Sequence, residues 1–166
     1  MNDNAVRGAG LVGSIAYAAA IGWLYVTQPQ TAAQVTGGLA SIIGTYRIDA
    51  QAFRDGLQFF RNDQFVEARA AFARADPAER DATTQFYIAY AWYRQGWGRL
   101  YNDDALFAKG MVAADKAIAA APNGRVIVED PNLQMHSADE LKAELHRGVT
   151  READDFNPLR VFRARK

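Results

Sequence analysis

The chain contains no cysteine. Disulfides, thiolate metal sites and a cysteine nucleophile are therefore excluded. Histidine is nearly as scarce: His136 and His146 are the only two in 166 residues, and they lack the H-x-x-x-H spacing of a helical metal site. No G-x-S-x-G nucleophile elbow and no G-x-x-x-x-G-K-[S/T] phosphate loop occurs. The acidic pairs Asp103-Asp104, Glu129-Asp130 and Asp154-Asp155 are adjacent in sequence, which suits caps and turns better than facing catalytic carboxylates. No catalytic residue, metal ligand or cofactor is expected. Net charge is also absent, with 19 basic and 19 acidic side chains, so no global field draws the protein to nucleic acid.

The most informative absence is local. Between Arg7 and Arg47 there is no Asp, Glu, Lys or Arg. Within that stretch Ala9–Val26 reads AGLVGSIAYAAAIGWLYV. As a helix it would extend roughly 27 Å, close to the hydrocarbon thickness of a bilayer. Trp23 and Tyr25 stand at one end, where amphipathic rings favour the headgroup region. The expectation is an anchor within residues 1–27 that contacts the bilayer through residues 9–26. A cleaved signal peptide is the rival reading, but no A-x-A site follows the apolar run closely, and the nearest small residues are Thr31-Ala32-Ala33.

Gly10, Ser14, Ala18 and Gly22 recur at every fourth position. On a helix they form one smooth ridge, a surface on which a second transmembrane backbone can lie closely. Arg7 precedes the span and the next basic residue is Arg47. By the positive-inside rule the chain is then a single-pass protein of a bacterial inner membrane, with the larger part in the periplasm. Residues 28–48 are uncharged up to Arg47, include Pro29, Gly37-Gly38 and Gly44, and are expected to form a linker or an interfacial segment.

Charge returns with a regular pattern. Counted from Asp49, Gly56 is eighth, Phe59 eleventh, Phe65 seventeenth, Ala68 twentieth, Phe72 twenty-fourth and Ala75 twenty-seventh. A polar turn, Arg61-Asn62-Asp63-Gln64, divides the unit. These offsets resemble a tetratricopeptide repeat, a helix–turn–helix unit of about 34 residues. Asp55 stands where that family has leucine, and Pro77 comes three residues before the family's proline. Asp76-Pro77 reads as a helix opening. From Ala82, the residues Ile88, Ala89 and Trp92 fall seventh, eighth and eleventh, which suggests a second repeat. Its second helix is displaced by an insertion around 97–103 and expected over about Asp104–Ala121, with Leu106, Gly110, Ala114, Ala117, Ile118 and Ala121 on one face.

Stacked repeats need about three units to bury their faces, so something must cover the open end. After a β-branched run, Arg125–Asp130, the sequence Ser137-Ala138-Asp139-Glu140 is a capping box. It opens a capping helix expected to run to about Glu152, with Leu141, Leu145 and Val149 as its apolar stripe. The fold expected is all-α: a transmembrane helix, then a compact tetratricopeptide-like hairpin domain over 49–153 closed by that helix. Residues 154–166 form a basic tail, with Arg160, Arg163, Arg165 and Lys166 available to anionic lipid or an acidic partner.

The resemblance implies a binding module. In the family the concave groove is lined by the first helix of each repeat. Transferred to this chain, the lining is Phe53, Leu57, Phe60 and Arg61, then Phe86, Tyr90, Tyr93 and Arg94. Aromatic residues at helical spacing also build cores, and Tyr90, Tyr93, Arg61 and Arg94 are the ones expected to meet a partner. Phe53 and Leu57 occupy the places of the lysine and asparagine by which some relatives clamp a dicarboxylate tail, so that activity is not expected. The function implied is a membrane-anchored scaffold or accessory subunit whose partners are proteins, a membrane protein among them; the alternative is a signal-cleaved, soluble periplasmic repeat protein that binds a peptide or an envelope polymer.

Overall fold

A computed structural model describes residues 12–19, 21, 46–99 and 101–150. Residues 12–19 are helical and exposed, Ser14 and Ala18 among them. Gly10 and Gly22, the rest of the expected span, residues 28–45 and the basic tail lie outside the described residues. Among the described residues no helix is long and apolar enough to cross a membrane.

From residue 46 the chain is helical, with a single antiparallel bridge, Ile127 to Ser137, and no strand among the described residues. The elements are α1 (Ala50–Arg61), α2 (Phe65–Ala75), α3 (Ala82–Gly96), α4 (Asp104–Ala120), a 3₁₀ turn (Pro122–Gly124) and α5 (Ala138–Val149). Side-chain acceptors open four of the five α-helices. Asp49 accepts from the amides of Gln51 and Ala52, Asp81 from Thr84, Asp103 from Leu106, and Ser137 forms the expected capping box with Glu140. Each cap satisfies amide groups that the first helical turn leaves without partners.

Neighbours in sequence are neighbours in space: α1 packs on α2, α2 on α3, α3 on α4 and α4 on α5. Small residues set how closely they pack. A Cβ on Gly56 would lie 2.5 Å from the Phe72 ring, so the glycine of α1 is the seat of the α2 phenylalanine. The second hairpin repeats the device, because a Cβ on Gly96 would lie 2.8 Å from the Phe107 ring. Leu141 and Leu145 of α5 are fully buried and close the far side of α4, where Leu145 rests on Gly110. The α4 face holds Gly110, Ala114 and Ala117 inside as expected, together with Phe107 and Ala113. Helix α5 ends at Val149, short of Glu152, with Thr150 as its C-cap.

One expectation is corrected. Asp76-Pro77 does not open a helix; Asp76 caps the end of α2, and α3 begins only at Ala82. The carboxylate of Asp76 is 1% exposed and gathers the intervening turn around itself. Oδ1 accepts from the Tyr46 hydroxyl at 2.5 Å and the Arg80 amide at 2.9 Å, while Oδ2 accepts from the Asp81 amide at 3.0 Å and Gln85 Nε2 at 2.9 Å. A proline helix start would have left this buried charge without those donors. Burial, reinforced by the hydrogen bond to Asp76, pushes the Tyr46 hydroxyl above its ordinary range.

Asp76→Ala is expected to lower stability by about 3 kcal/mol, because the buried Gln85 amide and two turn amides lose their acceptor. Asp76→Asn, which keeps one acceptor oxygen, is expected to cost less. Urea unfolding midpoints of the two variants check the order.

Candidate functional site

Helices α1 and α3 carry the eight residues expected to line a groove. Their environments divide them. Phe60, Phe86, Tyr90 and Tyr93 are buried, Tyr90 at 0% and Tyr93 at 1% exposure. Phe53, Leu57 and Arg94 are half-buried, and Arg61 is exposed. The rings form a continuous series. Phe53 meets Tyr87 at 5.9 Å, Tyr87 meets Phe60 at 5.6 Å, Phe60 meets Tyr90 at 5.8 Å, Tyr90 meets Tyr93 at 5.7 Å and Tyr93 meets Phe107 at 5.6 Å. All but the tilted Tyr93–Phe107 pair are edge-to-face, and such pairs contribute about 0.5–1.5 kcal/mol each beyond their buried area. Tyr90 and Tyr93 are therefore core residues here, and neither is at the surface as expected.

The covering element is the chain's own segment between the 3₁₀ turn and α5. Asn123 and Gly124 take positive φ of 61° and 64°, which turns the chain back toward the groove. The segment is folded on itself by the Val128 amide donating to the His136 carbonyl at 2.8 Å. Val126, Val128, Leu133 and Met135 point inward and are buried, while Ile127 and Glu129 face outward. At its tip the Asp130 side chain accepts from the backbone and side-chain amides of Asn132, at 2.9 and 2.8 Å.

Polar groups of the groove hold this strap. The Tyr87 hydroxyl donates to Asp130 at 2.9 Å, and Arg61 approaches the same carboxylate at 3.8 Å. The Tyr90 hydroxyl accepts from the amides of Gln134 at 3.1 Å and Met135 at 3.4 Å. Arg94 donates to the Asn132 carbonyl at 3.1 Å, lies 3.7 Å from Asp63, and stands over the Phe60 and Tyr90 rings at 5.5 and 5.6 Å. An acidic tip, two amides and a carbonyl are thus bound as a peptide ligand would be. Burial pushes the Tyr87 hydroxyl upward, and its bond to Asp130 adds to the shift. Asp130 is opposed by the same burial, yet the Asn132 amide, the Tyr87 hydroxyl and Arg61 outweigh it and hold its carboxyl below the usual range.

A second concavity lies on the other side of α3. Ile88 and Trp92 are each two residues from Tyr90, about 200° round the helix. With Ala73 and Arg69 of α2 and Ala108, Lys109, Val112 and Lys116 of α4 they line a cleft of about 470 Å³. The Arg69 guanidinium lies 3.5 Å from the Trp92 ring centroid and Lys109 Nζ lies 5.0 Å from it. The sequence offsets assign Trp92 to the interior and do not reveal this pairing; the spacing of Trp92 from Lys109 and Arg69 carries no helical signal.

His136 Nδ1 meets the Val128 carbonyl at 3.1 Å, and the His146 carbonyl accepts from Thr150 at the end of α5. Among the described residues no group of three acidic or histidine side chains is placed to hold a metal ion.

Asp130 has a lower pKa folded than unfolded, so its contribution is present above the unfolded value of about 3.9 and is lost as pH falls through the folded value. Wild type is therefore expected to lose more stability than Asp130→Asn between about pH 5 and about pH 2, measured by urea unfolding. Parallel losses would show that the Asp130 contacts contribute nothing. Tyr90→Phe is expected to cost about 1 kcal/mol and to speed hydrogen exchange at Gln134 and Met135.

No family model, curated protein or solved structure matches the chain, and the tetratricopeptide resemblance stands on its residues alone.

Proposed function

We propose that this chain is a membrane-anchored, tetratricopeptide-like scaffold or accessory subunit that joins proteins in a bacterial inner-membrane complex, with its helical domain in the periplasm. The observation that carries the reading is the pair of helical hairpins, each seated by a glycine under a phenylalanine, Gly56 under Phe72 and Gly96 under Phe107. Packing of this kind builds extended side-chain surfaces. The strap adds support, because the groove of α1 and α3 holds a peptide segment by the means a binding groove uses, an aromatic floor with tyrosine and arginine at the edges. In this reading α5 is the cap that closes the second hairpin.

The anchor reading draws on residues 12–19. They are helical, carry no charge and expose Val12, Ile15 and Tyr17. Such a surface calls for a bilayer or a protein partner to cover it. Residues 9–26 would meet the lipid, the Gly10, Ser14, Ala18 and Gly22 ridge would meet another membrane helix, and Arg160, Arg163, Arg165 and Lys166 would add an electrostatic contact with lipid headgroups or an acidic protein.

In-membrane cross-linking with mass spectrometry tests the proposal. Lys109, Lys116 and Lys142 are expected to cross-link to at least one membrane protein, and the purified chain is expected to retain Met1. A mature N-terminus near Ala33, or an absence of protein cross-links from the intact membrane, would overturn it.

A further inference from the structure

The cleft between α2 and α4 has a charge pattern that names its occupant. Resting on the reading of the chain as a binding module, we propose that this cleft docks an acidic, amphipathic segment of a partner protein, its carboxylates on Arg69 and Lys109 and an apolar side chain over Ile88 and Val112.

Two cations share one ring at the cleft's centre. Arg69 stacks on Trp92 from α2 and Lys109 approaches the same ring from α4. Attraction to the ring face offsets part of the cost of crowding them, but like charges on one indole still repel. No carboxylate forms an ion pair with either among the described residues. Nη1 of Arg69 is buried and has no hydrogen-bond acceptor there. A guanidinium offers N–H groups that can take a carboxylate with two parallel bonds. Arg69 as a whole is only half-buried and Lys109 is exposed, so an incoming carboxylate would meet the open side of the guanidinium and the ammonium and screen the two positive charges from each other.

The rest of the cleft argues for a peptide over a small anion. From Gln85 to Trp92 its floor follows α3 for about 10 Å, two helical turns. Between the charged ends that floor is aliphatic, with Ile88, Ala73, Ala108 and Val112, the last 58% exposed. A phosphate or a lipid headgroup would cover only the Trp92 end. At the other end Lys116 is already paired with Glu79 at 2.7 Å, so that rim offers both signs. An acidic residue followed one turn later by an apolar one matches this order, which is how a short helix lies in a groove.

The test uses the full chain purified in detergent and, as probe, a fluorescent synthetic peptide of alternating glutamate and leucine pairs, with its glutamine counterpart as control. Saturable binding of the glutamate peptide is expected, weakened by added salt and weakened at least about tenfold by Lys109→Glu. Lys109 is exposed, so this variant is expected to fold normally, and its unfolding midpoint verifies that. Arg69→Gln should weaken binding as strongly, while Arg61→Gln on the strap side should leave it unchanged. Equal binding of the glutamine peptide, an unchanged affinity in Lys109→Glu, or no saturable binding would overturn the proposal. Loss in Lys109→Glu of binding only to phosphatidylglycerol vesicles, without peptide binding, would also overturn it and assign the cleft to lipid. Cross-linking in the membrane separates the two readings: if Lys109→Glu keeps every protein cross-link of wild type made from its other lysines, the docking site falls and the scaffold stands.

Discussion

A single buried carboxylate organises this domain. Asp76 lies between the two hairpins, has no cationic partner among the described residues, and is satisfied by a hydroxyl, two turn amides and a side-chain amide. Burying a charge without such donors would cost several kcal/mol, roughly the whole margin by which a small domain is stable. The four donors come from the lead into α1, from the turn and from α3, so the carboxylate fixes three pieces of chain at one point. Glu79, whose φ of 55° is unusual for a residue with a side chain, sits inside that turn.

Two opposite faces of α3 then take different fates. One face, with Phe86, Tyr90 and Tyr93, is buried in the core, and Tyr90 is bonded to the strap. The other, with Ile88 and Trp92, stays open between α2 and α4 and is edged with basic side chains. Two helical hairpins, all that the described residues hold before α5, have little apolar surface to spare, and the strap supplies part of the core. Val126, Val128, Leu133 and Met135 do that work together with α5.

The helices were legible because their ends are written in single residues. Asp49, Asp103, Ser137 and Glu140 are capping residues with local partners, and Gly56, Ala68 and Phe72 fix the first hairpin by offsets alone. The strap was not legible for the opposite reason. Asp130 meets Tyr87 across 43 positions and Gln134 meets Tyr90 across 44, and no local pattern encodes such pairs. The offsets of the tetratricopeptide resemblance say nothing of what covers a helix face, and by them alone Tyr90 and Tyr93 read as contact residues. The run 126–129 gave no clue either, because Ile127, which faces outward, is as apolar as Val126 and Val128, which face in. Asp76 misled for a simpler reason: Asp-Pro is a common helix opening, and its true partners Tyr46 and Gln85 lie beyond local view.

Tyr46 gives the domain a mechanical property. Its hydroxyl is tied to Asp76, and three residues later the Asp49 amide donates to the Ala75 carbonyl at 2.9 Å. The first described residues of the domain are therefore clamped to the far end of α2, not left to trail from the tip of α1. Tension arriving through the preceding chain would be borne by this clamp in shear before α1 could be peeled away. If the N-terminal stretch is held in a bilayer, thermal tugging of the domain against its tether loads the Asp76 junction before the outer helix.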